Sequence, residues 1–247
     1  MKVDILGVKI DNLRFSEAKK RIIDQIGKSG RFVVVTPNPE FVVESLNDAD
    51  FKDTLNNADL AIPDGQGLVL ASKILGKKPG LKERVVGADL VEQLLIEAGR
   101  EGWRIGIVGA RRNKNLEIKI LIKNLKLKIK NLNVEVVSQK HQYDLVLACQ
   151  GMEEQETWIF DNKDKVNASV FMGIGGSLDF LSGFTKRAPV WIRSLGFEWV
   201  WRAIQKPQHI KRVWKAVVVF LALILKEKFQ APLTVQASTK SQTNSKF

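Results

Sequence analysis

The segment Ala58-Asp59-Leu60-Ala61-Ile62-Pro63-Asp64-Gly65-Gln66-Gly67 decides the fold class of this 247-residue chain. It predicts a short buried strand, a turn shaped by Pro63 and Gly65, and a helix that begins at Leu68. Open α/β sheets place their chemistry where strands end in this way. Asp64 therefore has two interpretations: an N-cap that binds the free N–H groups of the next helix, or a general base exposed at the end of the sheet.

The alternation of short apolar strands with helices extends over the first 190 residues. We predict strands at Val3–Val8, Arg31–Val35, Leu60–Ile62, Arg104–Ala110, Asn133–Val137, Asp144–Leu147 and Ala168–Met172. We predict helices at Ser16–Ile26 with Ser16 as N-cap, Glu40–Val43, Leu68–Leu75, Ala88–Ala98, Asn113–Lys126 and Glu153–Phe160. This pattern is typical of an α/β fold, with a Rossmann-like, mostly parallel sheet covered by helices on both faces.

Composition changes after about Ala188 and divides the chain into three parts. Residues 1–190 form the predicted Rossmann-like catalytic core, 191–230 a basic helical appendage, and 231–247 a disordered tail rich in Ser, Thr, Gln and Lys. From Lys186 to Lys228, ten lysines and arginines stand against two glutamates, which is most of the formal net charge of +12. Such a charge predicts an anionic partner: nucleic acid, a membrane surface or a phosphate-bearing substrate.

The appendage contains ten uncharged residues from Ala216 to Leu225. A bilayer span needs about 18 apolar residues, so this run is either a helix packed on the core or a helix in the membrane interface. The first residues carry no secretory signal, and the single cysteine, Cys149, fits a reducing compartment as a buried, inert thiol. We therefore expect a cytoplasmic protein.

Two glycine-rich turns after predicted strands are candidates for binding a phosphate or a sugar. Gly106-Ile107-Val108-Gly109-Ala110 lacks the third glycine of a dinucleotide fingerprint, although a diphosphate can still meet the helix after Gly109. In Gly173-Ile174-Gly175-Gly176-Ser177 three glycines let backbone N–H groups approach a ligand, and a plain tight turn is the alternative.

A metal site has little support in the sequence. Asp48-Ala49-Asp50 has the Asp-x-Asp spacing of a metal-binding motif, but it lies in a polar helical stretch, where a cap or a solvated turn is the better interpretation. The two histidines, His141 and His209, show no spacing of metal ligands. We predict no metal and no cofactor.

Several segments, in this order along the chain, resemble motifs of the WecG/TagA/CpsF family of bacterial glycosyltransferases. The resemblance covers about residues 1–214, and its motifs are specific as a set. They are 36–40 (TPNPE), 58–65 (ADLAIPDG), 83–87 (ERVVG), 155–156 (QE), 173–180 (GIGGSLDF), 187–189 (RAP) and 195–202 (LGFEWVWR).

The resemblance implies an inverting, metal-independent glycosyltransferase on a Rossmann-like core. Such an enzyme moves a sugar, N-acetylmannosamine or a relative, from a UDP donor to an undecaprenyl-diphosphate-linked saccharide in surface polysaccharide synthesis. The implied partners are the UDP-sugar, the polyprenyl-diphosphate acceptor and an anionic membrane surface, with the protein peripheral on the inner face of the cell membrane. The oligomeric state, a homo-oligomer included, stays open.

The family motifs also imply roles for individual residues. Asp64 is the general base, and Thr36 and Asn38 position the base or the acceptor. The implied donor-binding residues, together with Gly109, are Arg84, Gln155, Gly173, Gly175, Gly176 and Asp179. The implied lipid-diphosphate-binding residues are Arg202, His209 and Arg212. The chain departs from the family pattern at Glu153, where proline is usual, and at Gln208 and His209, where arginines are common.

Two other functions stay open at this level. One is a basic module on a Rossmann-like scaffold that binds a membrane or nucleic acid. Its basic residues interleave with Trp199, Trp201 and Trp214, which favours a lipid-facing surface, so we expect no nucleic-acid partner. The other is a different nucleotide-dependent transferase on a similar sheet.

Overall fold

The structure, a computed structural model, describes residues 1–194, 200–201 and 214–230. Its strands are β1 (Lys2–Ile5), β2 (Val8–Asp11), β3 (Phe32–Val35), β4 (Leu60–Ala61), β5 (Arg104–Val108), β6 (Asn133–Val136), β7 (Gln142–Ala148) and β8 (Asn167–Gly173). Its helices are α1 (Phe15–Ile23), α2 (Pro39–Glu44), α3 (Ala49–Asn56), α4 (Gln66–Ile74), α5 (Gly87–Glu101), α6 (Asn115–Lys128), α7 (Glu154–Asn162), α8 (Ser177–Leu181), α9 (Val190–Ser194) and α10 (Phe220–Gln230). A 3-10 turn, Ala110–Asn113, precedes α6, and a π-helical segment, Lys215–Val219, leads into α10.

Six strands form one parallel sheet in the order β4-β3-β8-β7-β5-β6. The register keeps the carboxyl ends level, since Val35 pairs with Ala61, and Ala148 pairs with both Val108 and Gly173. The predicted fold class, a Rossmann-like parallel sheet with helices on both faces, is confirmed. The turns that follow these strands therefore meet at one edge of the sheet.

The sheet separates two apolar cores because successive side chains of a strand point to opposite faces. In β3, Val34 belongs to the core that α1, α5, α6 and α8 cover, whereas Val33 and Val35 belong to the core that α2, α3, α4, α7 and α10 cover. Both faces of the central strands are thus buried, which explains why they appear in the sequence as nearly continuous apolar runs.

Two local predictions at the N-terminus were wrong. The strand predicted over Val3–Val8 is an antiparallel hairpin of β1 and β2, because Leu6 and Gly7 adopt φ angles of 53° and 88° and reverse the chain. The predicted cap Ser16 lies inside α1, whose N-cap is Arg14. There the Glu17 carboxylate accepts a hydrogen bond from the Arg14 N–H at 2.6 Å and fixes the start of the helix.

The last described segment of the appendage packs on the core through one side. Phe220 and Ile224 are buried against α2 and α4, and the Lys228 ammonium donates to the Ile74 carbonyl at 2.6 Å. The packed-helix interpretation is confirmed for this side of α10, while contact with a membrane interface stays a prediction. Among the described residues, no helix combines the length and the apolar character that crossing a bilayer requires. The predicted tail, 231–247, lies outside the described residues.

Candidate active site

The predicted base, Asp64, follows β4 at the carboxyl edge of the sheet, beside the turn that follows β3. Its N–H donates to the Pro37 carbonyl at 2.9 Å, so the two turns run side by side. Gly65 has a φ of 156°, and a Cβ at this position would lie 2.9 Å from Cδ of Pro39. Only glycine fits this close approach, so Gly65 is a requirement of the turn.

The N-cap position of α4 is Gly65 and not Asp64, so the prediction of Asp64 as the N-cap residue is wrong. The carboxylate instead faces the first turn of α5, since a Cβ at Gly87 would lie 3.0 Å from Oδ2 of Asp64 and 3.6 Å from Cγ2 of Thr36. A helix N-terminus favours a negative charge. The Asp64 side chain is 29% exposed, which leaves it accessible from the edge of the sheet.

Arg84 is held next to this carboxylate, with 3.9 Å between Nε of Arg84 and Oδ1 of Asp64. Hydrogen bonds of the two residues next to Arg84 in the chain hold its backbone in place. The Val85 N–H donates to the Pro63 carbonyl at 3.0 Å, and the Glu83 carboxylate accepts from the Phe15 N–H at 2.7 Å. The guanidinium therefore brings a positive charge within ion-pair distance of the predicted base.

Thr36 and Asn38 both lie beside Asp64 but have different partners. The Thr36 hydroxyl donates to the Gly173 carbonyl at 3.1 Å and links the end of β3 to the glycine turn after β8. The Asn38 side-chain oxygen accepts from the Glu40 and Phe41 N–H groups at 2.8 and 3.2 Å and caps α2. Thr36 thus connects the base to the predicted donor pocket. Because the side-chain oxygen of Asn38 is used in the cap, a contact of Asn38 with a substrate would be made by its amide nitrogen.

The glycine turn after β8 is held by Gln155 from the first turn of α7. The buried Gln155 side chain accepts from the Gly175 N–H at 2.7 Å. A Cβ at Gly173 would lie 2.8 Å from the Gln155 amide nitrogen, so the strand approaches this side chain as only glycine can. The predicted residues Gly173, Gly175 and Gln155 therefore form one unit, and Gly176 is the N-cap of α8 next to it.

Glu156 is a site residue that sequence reasoning missed, although it is fully buried behind this unit. It accepts hydrogen bonds from the Gln155 amide at 2.6 Å and from the Glu153 N–H at 2.9 Å. Burial raises the pKa of Glu156 to about 7, and these two hydrogen bonds oppose the rise only partly. Its position in the sequence could have indicated its burial. Glu156 lies three residues before the buried Ile159 and therefore on the side of α7 that faces the core.

A second part of the site is the crevice between the ends of β5 and β7. The helix that follows β5, α6, packs on one face of the sheet, and the helix that follows β7, α7, packs on the other. Open α/β sheets bind ligands in such a crevice. Gly109 lies there with a φ of 71°, and a Cβ at this position would overlap the Gln150 side chain.

Arg111 lies at the edge of this crevice and was also missed. Its guanidinium donates to Glu117 at 2.7 Å and to the predicted site residue Asp179 at 3.2 Å, and it lies 4.5 Å from the centre of the Phe184 ring. The signal in the sequence was a basic residue two positions after Gly109, at the start of a helix. These contacts fix the guanidinium where a phosphate is expected, with its charge balanced by Glu117 and Asp179.

Three further predictions concern residues away from this edge. The Asp48 side chain accepts from the Phe51 N–H at 2.9 Å and caps α3, so the cap interpretation of the Asp-x-Asp segment is confirmed. Burial raises the pKa of the Cys149 thiol, in agreement with an inert cysteine. Arg202, His209 and Arg212 lie outside the described residues.

Comparison with known proteins agrees with the resemblance. Residues 3–233 match the family described as "Glycosyl transferase WecG/TagA/CpsF family". Proteins named N-acetylglucosaminyldiphosphoundecaprenol N-acetyl-beta-D-mannosaminyltransferase are similar to this chain. The one from Bacillus subtilis (strain 168) is 31% identical over 221 residues, which cover 85% of this chain and 84% of that protein. The one from Staphylococcus aureus (strain MRSA252) is 30% identical over 241 residues, or 92% and 93% of the two chains. The chain therefore belongs to the WecG/TagA/CpsF family and is a glycosyltransferase.

Proposed function

We propose that this enzyme transfers N-acetylmannosamine, or a close relative, from a UDP donor to an N-acetylglucosamine joined by a diphosphate to a polyprenol. The names of the similar proteins from Bacillus subtilis and Staphylococcus aureus support this sugar and this acceptor. The observation that carries the proposal is the position of Asp64, which is partly exposed beside Arg84 and connected through Thr36 to the glycine turn.

The donor is proposed to lie along the carboxyl edge of the sheet. Its nucleotide end fits the crevice at Gly109 and Arg111, and its sugar fits the turn at Gly173–Gly176. Neighbouring strands are about 4.8 Å apart, so β8 lies about 10 Å from β4 and β5 about 10 Å beyond β8. In this placement the diphosphate joins the crevice to the glycine turn, and the anomeric carbon faces the side of Asp64.

The proposed reaction is a single displacement with inversion. Asp64 takes the proton from the acceptor hydroxyl while that oxygen attacks the anomeric carbon, and the bond from this carbon to UDP breaks on the opposite side. The Arg111 guanidinium and the backbone N–H groups of the glycine turns are proposed to stabilise the leaving diphosphate in place of a metal ion.

The lipid end of the acceptor is assigned to the basic appendage. Arg202, His209 and Arg212 are proposed to bind the acceptor diphosphate at the inner face of the membrane, since arginine suits phosphate oxygens geometrically. This assignment follows from the resemblance to the family motifs, and the basic composition of residues 186–228 supports it.

Direct assay tests the proposed function. The full chain is incubated with a panel of UDP-sugars and a short-chain polyprenyl-diphosphate N-acetylglucosamine, and product masses are measured with and without EDTA. We expect one added N-acetylhexosamine from UDP-N-acetylmannosamine, with unchanged turnover in EDTA. Transfer from another nucleotide sugar alone, or loss of transfer in EDTA, would contradict the proposed donor or the metal independence, respectively.

Gly109→Ala is expected to weaken UDP binding at least about tenfold, because the new Cβ overlaps Gln150 in the crevice and the φ of 71° is costly for alanine. Isothermal titration with UDP measures the change. Gly102→Ala is the matched control: its φ is 73°, but a Cβ there meets no atom within 4 Å. The positive φ angle should cost both variants about 1 kcal/mol of stability, and equal UDP affinities in the two would refute the crevice as the nucleotide site.

A further inference from the structure

Helix α6 has a second apolar side that faces away from the core. The inner side buries Ile118, Leu121 and Leu125. At about 100° per residue, the direction opposite to these three is occupied by other large apolar residues. They are Leu116, Ile120 and Leu127, which are 72%, 40% and 75% exposed. Such a stripe on the outside of a helix needs a partner surface to cover it.

Lysines surround this outer stripe. Residues 114–130 contain six lysines and one acid, Glu117. All six lysines are exposed: Lys114, Lys119, Lys123, Lys126, Lys128 and Lys130. The Glu117 carboxylate is shared between Arg111 at 2.7 Å and Lys114 at 3.5 Å, so it balances little of the positive charge of the six lysines. The helix therefore presents apolar side chains inside a strongly positive frame, and an anionic partner fits it.

The combination of charge and apolar surface selects among partners. A symmetric contact with a second copy would bring two sets of lysines together and repel. Nucleic acid would pair with the lysines but would leave the leucines in water. A bilayer with anionic headgroups satisfies both, because the apolar residues enter the acyl boundary and the lysines reach the phosphates. We propose that the outer side of α6 binds an anionic lipid bilayer.

This surface is separate from the appendage. The cores beneath α6 and α10 lie on opposite faces of the sheet, so a flat bilayer along α6 excludes the membrane contact predicted for α10. The first turn of α6 follows Arg111 at the carboxyl edge of the sheet. A bilayer bound along α6 therefore lies next to the crevice between β5 and β7. The inference does not depend on the sugar or the acceptor proposed above.

Vesicle flotation of the full chain tests the proposal. The vesicles are phosphatidylcholine alone or phosphatidylcholine mixed with phosphatidylglycerol. The variants are Leu116→Gln with Leu127→Gln, and Lys119→Gln with Lys123→Gln and Lys126→Gln. The matched control removes three exposed lysines elsewhere: Lys9→Gln, Lys140→Gln and Lys165→Gln. Each lysine near an anionic surface contributes about 1 kcal/mol, so the variant that lacks three lysines in α6 should bind mixed vesicles on the order of 100-fold more weakly.

A local probe shows which surface enters the lipid. A polarity-sensitive fluorophore is attached to Ile120→Cys in a Cys149→Ser background. We expect a blue shift on addition of mixed vesicles, and wild-type binding by the control variant. Unchanged binding by both α6 variants, an equal loss in the control, or flotation without a blue shift would each overturn the proposal. So would a stable dimer in light scattering that Leu116→Gln with Leu127→Gln dissociates.

Discussion

Asp64→Asn is expected to lower the turnover number by about 10²- to 10⁴-fold, which is the usual contribution of a general base. Asparagine has the same shape as aspartate but cannot take the acceptor proton. The turn should survive, because its Gly65 and the hydrogen bond from the Asp64 N–H to Pro37 do not involve the carboxylate. Turnover is measured as UDP release with the polyprenyl-diphosphate acceptor, and UDP-sugar binding by isothermal titration should persist.

Asp50→Asn is the matched control for this change. Asp50 is an exposed carboxylate in α3. The other carboxylate of the same Asp-x-Asp segment, Asp48, is the N-cap of that helix. Turnover of Asp50→Asn should equal that of the wild type. Wild-type turnover by Asp64→Asn would remove Asp64 from the role of base, and loss of UDP-sugar binding would show that the residue binds the donor instead.

Glu156→Gln is expected to change how stability depends on pH. The pKa of Glu156 is about 7 in the folded chain, against 4.5 for an ordinary glutamate. Between these values the folded state holds a proton that the unfolded state has released, so the free energy of unfolding falls as the pH rises through this window. Glutamine does not titrate. Relative to the variant, the wild type should therefore lose about 2 to 3 kcal/mol between about pH 5 and about pH 8.

Urea denaturation of both proteins at several pH values measures this difference. The quantity to compare is the slope of the free energy of unfolding against pH. Glutamine also changes the group that accepts the hydrogen bond from the Glu153 N–H, and the stability lost in this way does not vary with pH in the same way. Glu154→Gln, an exposed glutamate in the same turn of α7, is the control and should keep the wild-type slope. Parallel curves for wild type and Glu156→Gln would show that Glu156 does not titrate in this range.

Most of the fold could be predicted because its signals are local. Each central strand is a short apolar run that ends in a turn of Gly, Pro or Asp, and the predicted strands and helices of the sheet occur where expected. The hairpin of β1 and β2 was missed because its turn is only Leu6 and Gly7, and apolar residues continue on both sides. A two-residue reversal inside such a run leaves the alternation of side chains almost unchanged.

The candidate site was predictable in part. Asp64 and the glycine turn are signalled by their own neighbours in the sequence, and the family motifs add Arg84 and Gln155. The hydrogen bond between Thr36 and the Gly173 carbonyl spans 137 positions, and no local pattern contains it. Arg111 and Glu156 were missed for the same reason, since their significance comes from Asp179 and from the Gly173 strand, which only folding brings near.

The sequence by itself determined the fold class, the family and the carboxylate at the end of β4, because apolar periodicity and turn residues act over a few positions. Tertiary structure decided that Asp64 faces the first turn of α5 and is not the N-cap residue of α4, and that α7 holds the glycine turn through Gln155. It also decided that α6 exposes leucines opposite its core side. These features depend on which segments pack together, and parallel strands joined by long crossovers separate such segments widely along the chain.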